Sequence, residues 1–412
     1  MNRRTIYIII TVIGFVVVAI VLYLFLRTRG ISSDTEVPGA ITNPFPFGEQ
    51  IDRLADRKTS ETPLSGSAVL SSGPVQIASE PQAGFVVFSR LGETIVRYVA
   101  LETGHVFEYT QGAGAVRLSN RTIPRILSAK WQTSGEGALL ERRENDGTIR
   151  TIRARLLPVA GDEDEEISSP ASQTAPYTVE GETLPIDIRS AVLSPDGESI
   201  ALLSHNDIGA TVSILPFNDT QSVELFSSSH RAWNIAWNAD KEITFVSKPS
   251  PLYIGAGFIL DTQNGALVRR GEGAALTLIL GPDVASGIDT ALVSDVPVSV
   301  FNNYLIGTRT VLPFVTYPQE KCTYISDTKA VCAAPDDTNL FGYPHRWYQG
   351  AVSFTDDLWL VDGETGAVLS LYNTSVDTLS LDMIHLTYDN SSGVLYFENK
   401  RDNSLWMISL SI

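Results

Sequence analysis

AVLSPDGESIALLSHNDIGATVSILPFN, residues Ala191–Asn218, decides how the rest of the chain is read. An apolar run, Ala191–Leu193, meets the turn Ser194-Pro195-Asp196-Gly197, and a second run follows at Ile200–Leu203. A polar loop with Gly209 leads to a third, Val212–Leu215. Proline presets φ at an early turn position, aspartate bonds nearby backbone amides, and glycine tolerates φ > 0. Runs this short, rich in Val, Ile and Leu and set between turns, are strands and not helices. The stretch is one antiparallel meander.

The pattern returns along the chain. Phe85–Ser89, Ile95–Ala100 and His105–Tyr109 form one unit, and Ile126–Trp131, Ala138–Arg142 and Ile149–Leu156 a second. The quoted stretch is the third, and Trp233–Trp237, Glu242–Ser247 and Gly257–Asp261 the fourth. A less regular fifth holds Leu276–Leu280, Ala291–Ser294 and Val298–Leu305. Cys322–Ile325, Ala330–Ala333 and Asp357–Val361 make the sixth, and Met383–Tyr388, Val394–Glu398 and Ser404–Leu410 the seventh. Corresponding turns recur every 40–60 residues or so, a spacing typical of repeat architectures. A small sheet that is apolar on both faces cannot bury them alone, but several packed radially around an axis can. The expectation is an all-β chain, a β-propeller of seven four-stranded blades, with six and eight as the alternatives. A strand from residues 68–78 would close the ring against Leu405–Leu410. Trp131, Trp237, Trp359 and Trp406 recur within the units and are expected to pack between blades rather than to form a sugar-stacking platform.

The amino-terminal part differs. Ile6–Leu26 is apolar apart from two tyrosines, a threonine and a glycine, long enough to cross a bilayer as a helix, and ends without a small-residue cleavage site. The expected organisation is a cytoplasmic tail at 1–5, a single transmembrane helix at 6–26, a flexible Ser/Thr/Pro-rich stalk at 27–67 and the propeller at 68–412. Arginines flank both ends of the helix, and the free amine tips the charge balance to an inside amino terminus, which puts the domain outside the cytoplasm. The formal charge of −17 and the lack of a basic stripe exclude a nucleic-acid partner. The acidic run Asp162–Glu166 lacks the alternating carboxylates of a calcium loop and is expected to be a solvated loop.

Ser194–Leu203 and Asp357–Gly366 resemble blades of WD-repeat-like propellers, particularly the periplasmic TolB type. Val96–Tyr109, Arg117–Ile126, Gln319–Ser326, Val331–Pro335 and Tyr343–Trp359 together resemble uncharacterised membrane-anchored propeller proteins of small-genome candidate-phylum bacteria. The resemblance implies an anchored extracytoplasmic propeller and brings no catalytic residues with it.

Cys322 and Cys332 lie equidistant from a hairpin turn at Asp327, so they face each other on adjacent strands. Facing Cβ atoms there fall in the range of a disulfide, two reduced core thiols being the alternative. Tyr343, His345, Arg346, Trp347 and Tyr348 sit in an insertion inside the sixth unit and are candidates for a binding loop, or else pack down over the blade edge. The five histidines show no zinc spacing, and no hydrolase elbow or phosphate loop is present, so neither metal nor cofactor is expected. The expected function is a non-catalytic protein-binding or scaffolding module of the cell envelope, its partner a protein or envelope polymer. The alternative is a propeller enzyme acting on surface glycans or peptides, favoured if carboxylates with raised pKa converge in the central channel. A structural spacer without ligand is a third reading.

Overall fold

In the structure, a computed structural model, the quoted stretch is a meander of Ile188–Leu193, Ser199–His205 and Ala210–Pro216, extended by Val223–Ser228. Gly197 takes φ 76° and donates its N–H to Ser194 O at 2.8 Å. The Ser194 hydroxyl accepts from Ser199 N at 2.9 Å, and Asp196 accepts from Glu198 N at 2.9 Å. The turn therefore satisfies its own backbone, as its residues require. The described residues are 73–159, 176–185, 187–336, 340, 342–374, 379–410 and 412. The expected tail, transmembrane helix and stalk, the first residues of the closing strand, and Asp162–Glu166 lie outside them. Among the described residues no helix is long and apolar enough to cross a membrane.

The described strands form five four-stranded sheets and one of seven. One sheet joins the two ends of the domain: Val75–Ala78 pairs with Ser404–Ser409, with Val75 opposite Met407, and Val394–Asn399 and Met383–Asp389 follow. The opening strands of successive sheets touch. Gln82–Arg90 lies against Ile126–Trp131, that against Ile188–Leu193, and that against Trp233–Ala239. On the other side Cys322–Tyr324 meets Met383–Asp389, which returns to Gln82–Arg90. This is the β-propeller arrangement, opening strands innermost around a channel and the chain closed by its first strand. Gly84 permits the closest of these approaches, since a Cβ there would stand 1.9 Å from Ala129 O.

Cores form where neighbouring sheets meet. Ala201, Leu203 and Val212 of one sheet pack on Trp233, Ile235 and Phe245 of the next. Leu358, Leu360 and Leu371 pack likewise on Met383, Leu395 and Phe397. Second strands are covered on both faces, which is why Ile200–Leu203 is buried at every position instead of alternating.

The fifth and sixth regions differ from expectation. Leu267–Leu280 is one 14-residue strand that turns at Ala275, φ 55°, where its register shifts, and it pairs with strands on both sides. Ser294 and Asp295 both have positive φ, 50° and 66°, and join Val293 to Val296 as a two-residue hairpin. Without the usual glycine, that hairpin is not visible in sequence. Outer strands such as Gly114–Arg117 also give little sequence signal, because their solvent face carries no apolar period. Two one-turn helices interrupt the sheets: α1 (Pro318–Lys321) and α2 (His345–Tyr348).

Candidate active site

A cavity of about 750 Å³ opens at the inner strands. Lys130 and Trp131, Val192 and Leu193, and Trp237 supply three walls from consecutive opening strands, while Glu320 of α1 and His345 and Tyr348 of α2 supply the other side. Trp131 is set by its indole N–H, which donates to Gly84 O at 3.2 Å. Of the four recurring tryptophans, Trp131 and Trp237 therefore face the cavity. Trp359 stacks on Phe314 at 5.3 Å, and Trp406 packs on the last core cluster. Trp237 is also buried in the core between two sheets and Trp131 packs against another, so the packing expected of all four holds.

The one turn of α1 points two charged neighbours in opposite directions. Pro318 at its first position suits a helix start, and the Glu320 and Lys321 amides both donate to Tyr317 O, at 3.0 and 2.9 Å. Glu320 faces the cavity, where Tyr348 Oη donates to its carboxylate at 2.8 Å. Burial pushes the Glu320 carboxyl up to about 7, against the Tyr348 hydrogen bond and the positive charge of His385, which pull it down. Lys321 turns inward with no exposed side-chain surface.

His385 lies on the innermost strand Met383–Asp389, where the register shifts between Ile384 and Thr387 and its own φ is 54°. A left-handed histidine at a bulge is a strained way to aim a side chain, of the kind that collects at functional sites. Its Nδ1 lies 3.1 Å from Glu398 Oε2, while the side chain is 60% exposed. Burial lowers its pKa, but the Glu398 hydrogen bond and charge and the Glu320 charge outweigh this, and the net shift is upward. Lys130 donates to Ala191 O at 2.8 Å and stands 3.8 Å from Glu141. Desolvation lowers its pKa, offset in part by Glu141. The charges of Glu320 and Lys130 both act on His385.

Behind this site Lys321 forms ion pairs with Asp356 and Asp382, all three without exposed side-chain surface. Asp382 also accepts the Trp347 indole N–H at 3.0 Å and the Phe354 amide at 3.0 Å. Asp356 accepts the Met383 amide at 2.6 Å. Burial raises the Asp356 carboxyl well above the usual range, more than the Lys321 charge lowers it. Trp347 is clamped between Tyr317, ring centroids 4.4 Å apart, and the Lys400 ammonium at 4.8 Å.

The binding-loop candidates are therefore divided by the fold. Tyr343 and Trp347 are 5% and 2% exposed and hold the insertion down, so they present no open contact surface. His345 and Tyr348 line the cavity, and Arg346 is at the surface. Cys322 and Cys332 are opposite each other in register, with Cα atoms 4.1 Å apart and their sulfurs joined. Sequence reading missed Glu320, His385 and Lys130. The signal was faint: a histidine inside the apolar run Met383–Leu386, and a Glu-Lys pair next to a cysteine strand. Among the described residues no group of three or more His, Cys, Asp or Glu is placed to hold a metal ion.

No family model and no curated protein matches the chain. Solved structures do. Oligogalacturonate lyase from Vibrio parahaemolyticus is similar at 9% identity and TM-score 0.50, over 81% of this chain and 91% of that one. The β-propeller domain of the trilobed protease from Pyrococcus furiosus is similar at 10% identity and TM-score 0.49, over 80% and 94%. A catalytically inactive virginiamycin B lyase from Staphylococcus aureus is similar at 9% identity and TM-score 0.47, over 82% and 99%. At such identities the likeness concerns the fold. The expectation that the chain is not an enzyme does not stand: solved structures that share its fold include a lyase. An acid assembled from separate blades leaves no linear motif.

Proposed function

We propose that the protein is a propeller enzyme acting on surface glycans or peptides by proton transfer in its central channel. One observation carries the reading: Glu320, a carboxyl poised at about 7, faces a cavity of about 750 Å³ together with Lys130. A group with pKa near the working pH serves best as general acid and base. Glu320 takes that role, and Tyr348 orients it through the 2.8 Å hydrogen bond. The domain has seven blades in this reading, with Leu267–Leu280 giving its first half to one blade and its second half to the next. It is carried outside the cytoplasm by the helix at 6–26, and protease digestion of the domain on intact cells tests that placement.

The enzymatic reading is tested by incubating the protein with a panel of envelope glycans and peptides and following products by mass spectrometry. Glu320→Gln is expected to slow cleavage by about 10²–10⁴-fold while the thermal midpoint stays unchanged. Absence of cleavage by the wild type, or equal cleavage by Glu320→Gln, overturns it.

A further inference from the structure

We propose that the channel takes an acidic sugar, a hydroxyl-rich ring bearing a carboxylate whose anion pairs with Lys130. This rests on the reading of the channel as the active site and names its substrate class.

The chain carries a net charge of −17, yet this cavity presents Lys130 and Lys248. Glu320 is the one carboxylate side chain lining that cavity among the described residues, and at about 7 it is half neutralised at neutral pH. The closest carboxylate oxygen to the Lys130 ammonium is 3.8 Å away, beyond hydrogen-bond reach, and its only hydrogen bond among those described is to the Ala191 carbonyl. Desolvation has lowered its pKa, so a bound anion would restore the charge that burial disfavours. Lys248 adds a second lysine to the same lining. An anion gives Lys130 a partner at shorter range than Glu141, which a cationic or apolar ligand does not.

One further feature selects a sugar over other anions. Trp131 and Trp237 give the cavity aromatic walls, against which a pyranose ring packs its apolar face.

The test uses the full chain with Glu320→Gln, so that binding is read without turnover, titrated calorimetrically with a hyaluronan tetrasaccharide, a neutral chitin tetrasaccharide and tetraglutamate. The hyaluronan probe should bind at least tenfold more tightly than either other probe. Adding Lys130→Met should weaken it tenfold or more, as loss of a charge-assisted contact does, while Lys130→Arg keeps it within a few-fold. Equal binding of the chitin probe overturns the anion requirement, and equal binding of tetraglutamate overturns the sugar. Lack of binding by any probe, or indifference to Lys130→Met, also refutes the proposal. If hyaluronan binds and no panel substrate is cleaved by the wild type, the enzymatic reading fails and this one stands. If the wild type cleaves only neutral glycans or peptides, the reverse holds.

Discussion

Glu320 and Lys321 are consecutive residues of one helical turn, and they end in opposite surroundings. Glu320 faces a wide cavity with a tyrosine hydroxyl for company; Lys321 is sealed among two aspartates, a backbone carbonyl and the Trp347 ring. Around Lys321 nearly every polar atom is engaged, although Asp356 Oδ1 has no partner. Around Glu320 and Lys130 partners are sparse and space is large. A closed charge cluster of the first kind holds structure in place, because breaking it strands a charge away from water. An open cluster of the second kind has capacity left for a ligand, which is what chemistry requires. The first cluster also builds the second: Asp382 anchors Trp347 and Phe354, and the turn they fix carries Tyr348 to Glu320.

The sharpest way to break this contrast is to change each residue alone. Lys321→Met should destabilise the domain by about 3–5 kcal/mol, read by denaturant unfolding, since it leaves buried aspartates uncompensated. Glu320→Gln should leave the unfolding midpoint in place and act on turnover. A stable Lys321→Met variant would remove the distinction.

Both clusters titrate in stability, and the open one in turnover as well. Asp356 is raised by burial, so the folded chain keeps a proton that the unfolded chain releases. Its contribution to stability is complete below the ordinary carboxylate pKa of ~3.9 and is lost as pH rises through the raised value. His385, raised too, acts in the same direction at higher pH. Unfolding midpoints at pH 5 and pH 8 should therefore fall with pH, Glu320 adding to the fall because burial raises it as well, and Asp356→Asn should reduce that slope. Turnover should fall above about 7 as Glu320 loses its proton. A slope that Asp356→Asn leaves unchanged assigns the stability effect elsewhere.

The smallest effect expected is at Cys322, the residue after Lys321. Its bridge to Cys332 closes a short loop, and replacing both cysteines with alanine should cost about 2–3 kcal/mol without changing turnover. Intact mass after alkylation without reductant should show no added groups, and two would refute the bridge.

Much of the architecture was legible in the sequence because its causes are local. The Ser194–Gly197 turn bonds to itself, the buried second strands announce themselves as apolar runs, and Val75–Ala78 carried enough apolar character to be read as the closing strand. The Ser294-Asp295 hairpin was not legible, since both residues adopt positive φ without the glycine that signals it. The site was not legible for a different reason. Its acid, imidazole and amine come from residues 320, 385 and 130, which no spacing rule connects. The insertion Tyr343–Tyr348 could be recognised as a place where function collects, but not which of its side chains face inward.

What the amino-acid order determined by itself was strand, turn and repeat, because hydrogen bonding in a tight turn and burial on both faces of a sheet depend on neighbours within a few residues. Which of two adjacent charges enters the core and which enters the channel was decided only by the assembled ring. That choice depends on the dielectric and the partners supplied by other blades, which exist only once the chain has closed on its first strand.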